Sequence, residues 1–171
     1  MMRLCSRRYL AWTAVVAGLL VILAGSSVQA QNRVFAVVPK SLDNPFFADV
    51  ERGAAQAAQE LGVEFQFVGP AQHDIAEQIS VLESLIESRV DGIAVSPTDA
   101  ASVVPVIQRA LAEGIPVIAF DSDAGRESGR LAFVGTNNYA GGVAAGEAFI
   151  RAIPRGTYAI LTGGLGAANL N

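Results

Sequence analysis

Short apolar runs alternate with longer amphipathic segments through most of this chain, and that alternation leaves few folds open. The runs lie at Arg33 to Val38, Val63 to Val68, Asp91 to Ser96, Ile115 to Phe120, Leu131 to Val134 and Tyr158 to Leu161. Their length and their Val, Ile and Phe content read as strands. The first helix has its start signal in Asn44-Pro45. Phe47, Val50, Ala54, Ala57 and Leu61 share its apolar face, and Gly62 ends it. Asp74 opens a second helix, with Ile75, Ile79, Leu82 and Ile86 on one face. The third covers about Ala101 to Glu113, where Pro105 fits only near the first turn, and Gly114 stops it. The fourth runs from about Ala140 to Ile153. Such a βαβ series predicts an α/β fold: an open, doubly wound parallel sheet with right-handed crossovers and helices on both faces.

The N-terminus carries a different signal. Arg3, Arg7 and Arg8 precede an apolar stretch from Tyr9 to Gly25, and Ser26-Ser-Val-Gln-Ala30 follows. A basic region, an apolar core and a small-residue site make a secretory signal peptide over residues 1–30, with cleavage expected after Ala30. Cleavage removes three basic residues and no acidic ones, which moves the net charge from −4 to −7. The chain's one Cys, Cys5, leaves with the signal. The remaining 141 residues, with one His and no thiol, form no disulfide and hold no zinc or iron–sulfur site of the usual His/Cys kind. Their acidic balance argues against a nucleic-acid partner.

Chemistry-bearing residues fall at strand ends. Asp121 and Asp123 follow the fourth strand, at the carboxyl edge where open α/β sheets bind polar ligands. Alternation points both carboxylates the same way if strand geometry persists through Asp123. They then suit a bridge to two neighbouring hydroxyls, or a metal. Ser96 adds a hydroxyl after the third strand. Lys40, Asn44, Phe46 and Phe47 follow the first strand. Phe47 lies on the core face of its helix. Phe46 lies off that face and suits stacking on a sugar ring, with Lys40 and Asn44 donating to hydroxyls. His73, before a helix start, reads as a surface or capping residue. Asn137-Asn138 with Gly141-Gly142 suits a strand-to-helix turn with close backbone approach. The chain has neither a phosphate-binding G-x-G-x-x-G after the first strand nor a P-loop.

Together these residues resemble the type I periplasmic sugar-binding proteins, in the group of the ribose-binding proteins and the autoinducer-2 and rhamnose binders. The marks are Val37-Val-Pro-Lys40 through Asn44-Pro-Phe-Phe47, Gly53-Ala-Ala, Asp91-Gly-Ile-Ala-Val-Ser96-Pro97, Ala112-Glu-Gly-Ile-Pro-Val-Ile118, Phe120-Asp121, and Val134-Gly-Thr-Asn137-Asn138 with Gly141-Gly142. The resemblance implies two α/β lobes closing over a sugar. Lobe one would span residues 31–135, and residues 136–171 would begin lobe two. It implies ligand contacts from Asn44, Phe46, Ser96 and Asp121, with Phe47 a further stacking residue. Lys40 and Asp123 match the autoinducer-2-like branch. Asn169 and Asn171 would be the first contacts from lobe two. Ribose-type proteins have Arg beside the first Asp where this chain has Ser122, which turns the expectation away from ribose itself.

The resemblance further implies delivery of a monosaccharide or sugar-like ligand to an ABC-importer permease in the periplasm, and possible signalling to a chemoreceptor. It implies no catalysis and no cofactor. The family's chains are about twice as long, so a fragment is expected, one that leaves helix and strand faces uncovered and folds poorly alone. The competing readings are a secreted Mg-dependent phosphohydrolase or glycosyl-transfer enzyme using Asp121 and Asp123, a sugar-responsive repressor, and the sensor domain of a membrane kinase. The export signal and the lack of a basic helix-turn-helix ahead of Val34 oppose the repressor.

Overall fold

The computed structural model describes residues 33–159. Five parallel strands form one sheet: β1 (Val34–Val38), β2 (Glu64–Phe67), β3 (Gly92–Val95), β4 (Val117–Phe120) and β5 (Ala132–Val134). Their order across the sheet is β2-β1-β3-β4-β5. The helices are α1 (Phe46–Leu61), α2 (Ile75–Glu87), α3 (Val104–Ala112) and α4 (Asn138–Ala152), with a short 3₁₀ turn at Arg126–Ser128. This is the predicted parallel α/β architecture. Strand and helix ends move inward by one to three residues at most positions, except that α4 begins two residues earlier than expected.

The order fixes which face each helix covers. The β1-to-β2 crossover runs toward one edge, while the next two run toward the other. Right-handed crossovers therefore put α1 on one face and α2 and α3 on the opposite one. The principal core lies under α2 and α3. Ala36, Val38, Ile93, Val95 and Val117 from the sheet pack with Leu82, Leu85, Ile86, Val106 and Ile107, all at most 6% exposed. The alternate strand residues Val37, Ala94, Ile118 and Phe120 face α1's side and are only half-buried. With Phe46 and Val50 they line an open groove of about 550 Å³. Parallel sheets are normally covered on both faces. Among the described residues, this face is only partly covered over β3 to β5.

Local signals explain the ends. Asn44 Oδ1 accepts from the Phe46 amide at 3.0 Å, and Pro45 takes helical φ and ψ, so Asn44 does the capping. Gly62 closes α1 at φ +65°. Asp74 caps α2 through the Glu77 amide. Pro105 lies in the first turn of α3, where its missing N–H costs nothing.

Two helix faces differ from the sequence reading. On α1, Ala58 is buried, whereas Ala57 is exposed and Leu61 is 75% exposed. On α2 the buried stripe is Gln78, Leu82, Leu85 and Ile86, with Ile75 42% exposed. The stripe is therefore rotated from the one drawn through Ile75 and Ile79, and an amide stands at its head. The segment after α4 also differs: Tyr158 and Ala159 are not in a strand, and the rest of the expected sixth strand lies outside the described residues. A Cβ built on Gly141 or Gly142 meets nothing within 4 Å, so neither glycine marks the close approach expected there.

These burials are checked by thermal unfolding. Ile107→Ala, at a site 1% exposed, is expected to cost about 2–5 kcal/mol. Leu61→Gln should stay within about 0.5 kcal/mol of wild type.

Candidate functional site

Three loops leave the carboxyl edge of adjacent strands, and each brings one polar side chain to a common point. In the sheet, Val38 pairs with Val95, and Val95 with Ala119. Lys40, Ser96 and Asp121, one or two residues further on, therefore emerge at the same level. Lys40 Nζ donates to Asp121 Oδ2 at 2.9 Å. Ser96 Oγ donates to the same oxygen at 2.8 Å. The Lys40 and Asp121 side chains are only 8% and 17% exposed, and Ser96 is fully buried. An ion pair this far from water repays its desolvation only when further hydrogen bonds support it, and the Ser96 hydroxyl is such a support.

Asp121 adopts φ +58°. Left-handed backbone is uncommon outside glycine, though Asp tolerates it better than most residues. The conformation is held by the Asp121 amide, which donates to the Val134 carbonyl at 3.0 Å. Strand geometry thus ends at Phe120, and this corrects the expectation that Asp121 and Asp123 point the same way. Asp123 is instead paired in bidentate fashion with Arg130, Nη2 to Oδ2 at 2.6 Å and Nε to Oδ1. The paired side chains are 30% and 14% exposed. The Arg130 hydrogen bonds hold the Asp123 carboxyl below its usual range, and the Asp123 partner raises the guanidinium. Gly125 at φ +75° and Gly129 at +77° supply the turns that fold Arg130 back onto Asp123. Asp123 therefore fastens its own loop, and the carboxylate pair required by the enzyme reading does not converge.

The remaining candidates divide as follows. Phe46 is 56% exposed and meets Phe47 edge to face at 5.1 Å. Phe47 is 2% exposed and packs edge to face on Phe120 at 6.3 Å, so it lies in the core as expected from its helix face, and this burial runs against the stacking role that the resemblance implied for it. The Asn44 side chain is exposed and engaged at the start of α1. Ser122 is buried, and so is its hydroxyl. His73 is exposed. Asn169 and Asn171 lie outside the described residues. Among the described residues no three His, Cys, Asp or Glu side chains cluster as a metal site would need.

Sequence reasoning missed Arg130, Gln78 and Thr98. Gln78 and Thr98 bind the loop backbones behind Lys40 and Ser96. A glutamine four residues before Leu82, on the helix's buried stripe, was the available signal for the first of these. Nothing local announces Arg130.

The sequence profile of the periplasmic binding protein domain matches residues 35–171. The chain belongs to that family. It is 34% identical over 127 residues to the D-ribose/D-allose-binding protein of Pseudomonas aeruginosa, a match covering 71% of this chain and 40% of that one. Among solved structures, the glucose-galactose binding protein of Geobacillus stearothermophilus superposes with a TM-score of 0.77 at 40% identity, over 82% of this chain and 50% of that one. An ABC-transporter solute-binding protein from Burkholderia graminis in complex with D-arabinose gives 0.79 at 42% identity, over 82% and 48%. The chain thus spans half or less of the length of these relatives.

Because the folded Asp123 carboxyl titrates below the unfolded one, its pairing stabilises the fold above the unfolded Asp value of about 3.9. That stability is lost as pH falls through the folded value. Urea unfolding of wild type should therefore weaken on acidification below about pH 4 more than that of Arg130→Met. Asp99, lowered by its Ser102 hydrogen bonds, contributes to both proteins alike. Equal acid dependence in the two would show that the pair carries no such stability.

Proposed function

We propose that this chain is the first-lobe part of a periplasmic solute-binding protein that binds a monosaccharide and hands it to an ABC importer. The observation that carries this reading is the convergence of Lys40 and Ser96 on Asp121 at the carboxyl edge, beside the exposed ring of Phe46. A buried carboxylate beside an ammonium offers an acceptor and a donor to neighbouring hydroxyls of a sugar. The exposed ring offers an apolar surface to the C–H face of the same sugar. The names of the relatives, which bind ribose, allose, arabinose, glucose or galactose, support an aldose. In this reading Asn44 adds a polar contact from the start of α1, Asn169 and Asn171 come from the second lobe, and residues 1–30 direct export with cleavage after Ala30. Asp123 supports the loop and does not contact the sugar.

The test is calorimetric titration of the complete protein with D-ribose, D-allose, D-arabinose, D-glucose and D-galactose. At least one should bind. Asp121→Ala removes a charged acceptor for the sugar hydroxyls, a loss of about 1.5–3 kcal/mol, or roughly ten-fold to a hundred-fold in Kd. Unchanged affinity in Asp121→Ala would remove the site. Asp123→Asn should change affinity far less than Asp121→Ala. N-terminal sequencing of the exported protein should begin at Gln31.

A further inference from the structure

Gln78 is fully buried on α2, one turn before Leu82. A primary amide at such a position must find partners for its donors and its acceptor inside the protein. Its Nε2 donates to the Pro39 carbonyl at 3.0 Å and to the Ser96 carbonyl at 2.9 Å. Its Oε1 accepts from the Thr98 amide at 2.9 Å. Two carbonyls on one side and an N–H on the other allow only this orientation of the amide. Pro39 immediately precedes Lys40, and Ser96 carries the hydroxyl that reaches Asp121. The Thr98 hydroxyl donates in turn to the Lys40 carbonyl at 3.4 Å. One side chain thus ties the β1 loop to the β3 loop at the two places where the ammonium and hydroxyl donors leave the backbone.

We propose that Gln78 is a positioning residue for the sugar site. It fixes the separation of the β1 and β3 loops so that Lys40 and Ser96 meet on one oxygen of Asp121. It contacts no ligand, and its effect passes through those two residues. The consequence for sugar affinity rests on the function proposed above, while the geometry stands apart from it. An apolar side chain of similar length would fill the same space and leave two carbonyls and an amide without partners, so the loops would move toward water to satisfy them.

The experiment compares Gln78→Met, Gln78→Asn and Leu82→Ala in the complete protein. Leu82, 2% exposed on the same helix, reports stability loss alone. Two readouts are taken: calorimetric affinity for the aldose panel, and the ¹⁵N NMR signal of the Lys40 ammonium, whose slowed exchange reports its pairing with Asp121. Gln78→Met is expected to weaken sugar binding by about ten- to a hundred-fold and to abolish the protected ammonium signal. Leu82→Ala should keep both despite a lower melting temperature. Gln78→Asn retains the amide on a shorter arm and should fall between wild type and Gln78→Met, and it carries the test if the methionine variant does not fold. If the Gln78 variants lose stability as Leu82→Ala does and keep affinity and ammonium signal, Gln78 only fills the core and the proposal is overturned. If no aldose binds wild type, the sugar reading fails, and the ammonium signal still decides the role of Gln78.

Discussion

Asp121 Oδ2 receives an ammonium and a hydroxyl from two different loops, in a place nearly closed to water. Much of the carboxyl edge is arranged around that meeting. It requires β1, β3 and β4 to be neighbours, which the order β2-β1-β3-β4-β5 provides. That order follows from a first crossover running one way and the next two running the other, so the handedness rule that distributes the helices also assembles the site. Removing the carboxylate would break a nearly buried ion pair, a change that destabilises far more than the loss of an exposed one.

Each partner is held by backbone that has little freedom. Asp121 stands at φ +58°, a conformation maintained by the hydrogen bond its N–H donates to the Val134 carbonyl on the edge strand and followed by a loop that Arg130 folds back onto Asp123. Lys40 and Ser96 hang from loops joined by Gln78. The polar groups of this edge are thus nested. The side chains facing the site are fixed by others that do not face it, and sites with that support keep their geometry better than sites on free loops.

The sheet and its helices were legible because periodicity and end signals agreed. Asn44-Pro45, Gly62, Asp74 and Pro105 each do what their chemistry suggests. Lys40, Ser96 and Asp121 were legible as strand-end polar residues. Asp123 was misread because period-two alternation was carried three residues past the end of the strand at Phe120. A single left-handed residue breaks that alternation, and no local rule foretold that Asp121 would be that residue. The face of α2 was misread because a hydrophobicity count favours Ile75 over Gln78. The core accepts Gln78 only because three backbone groups from distant loops wait for it, and those loops are 18 to 39 residues away in sequence. Long-range satisfaction of this kind leaves no local pattern.

The separation of Asp121 from Asp123 also bears on what the site can hold. Two carboxylates on one side of a loop would concentrate negative charge and favour a divalent cation. Here one is neutralised by Lys40 and the other by Arg130, so the edge presents paired charges with directional hydrogen-bonding capacity. A neutral polyol asks for that combination: acceptors and donors fixed in direction, little net field, and an apolar surface such as Phe46 for its C–H face. The groove on α1's side of the sheet has a different character, lined largely by Val37, Val50, Ala94, Ile118 and Phe120. The two regions meet at Phe46 and Asp121, which line the groove while standing beside the polar edge. Packing over the groove would therefore bear directly on the Phe46 ring and on the backbone of Asp121, coupling the cover of that face to the shape of the site.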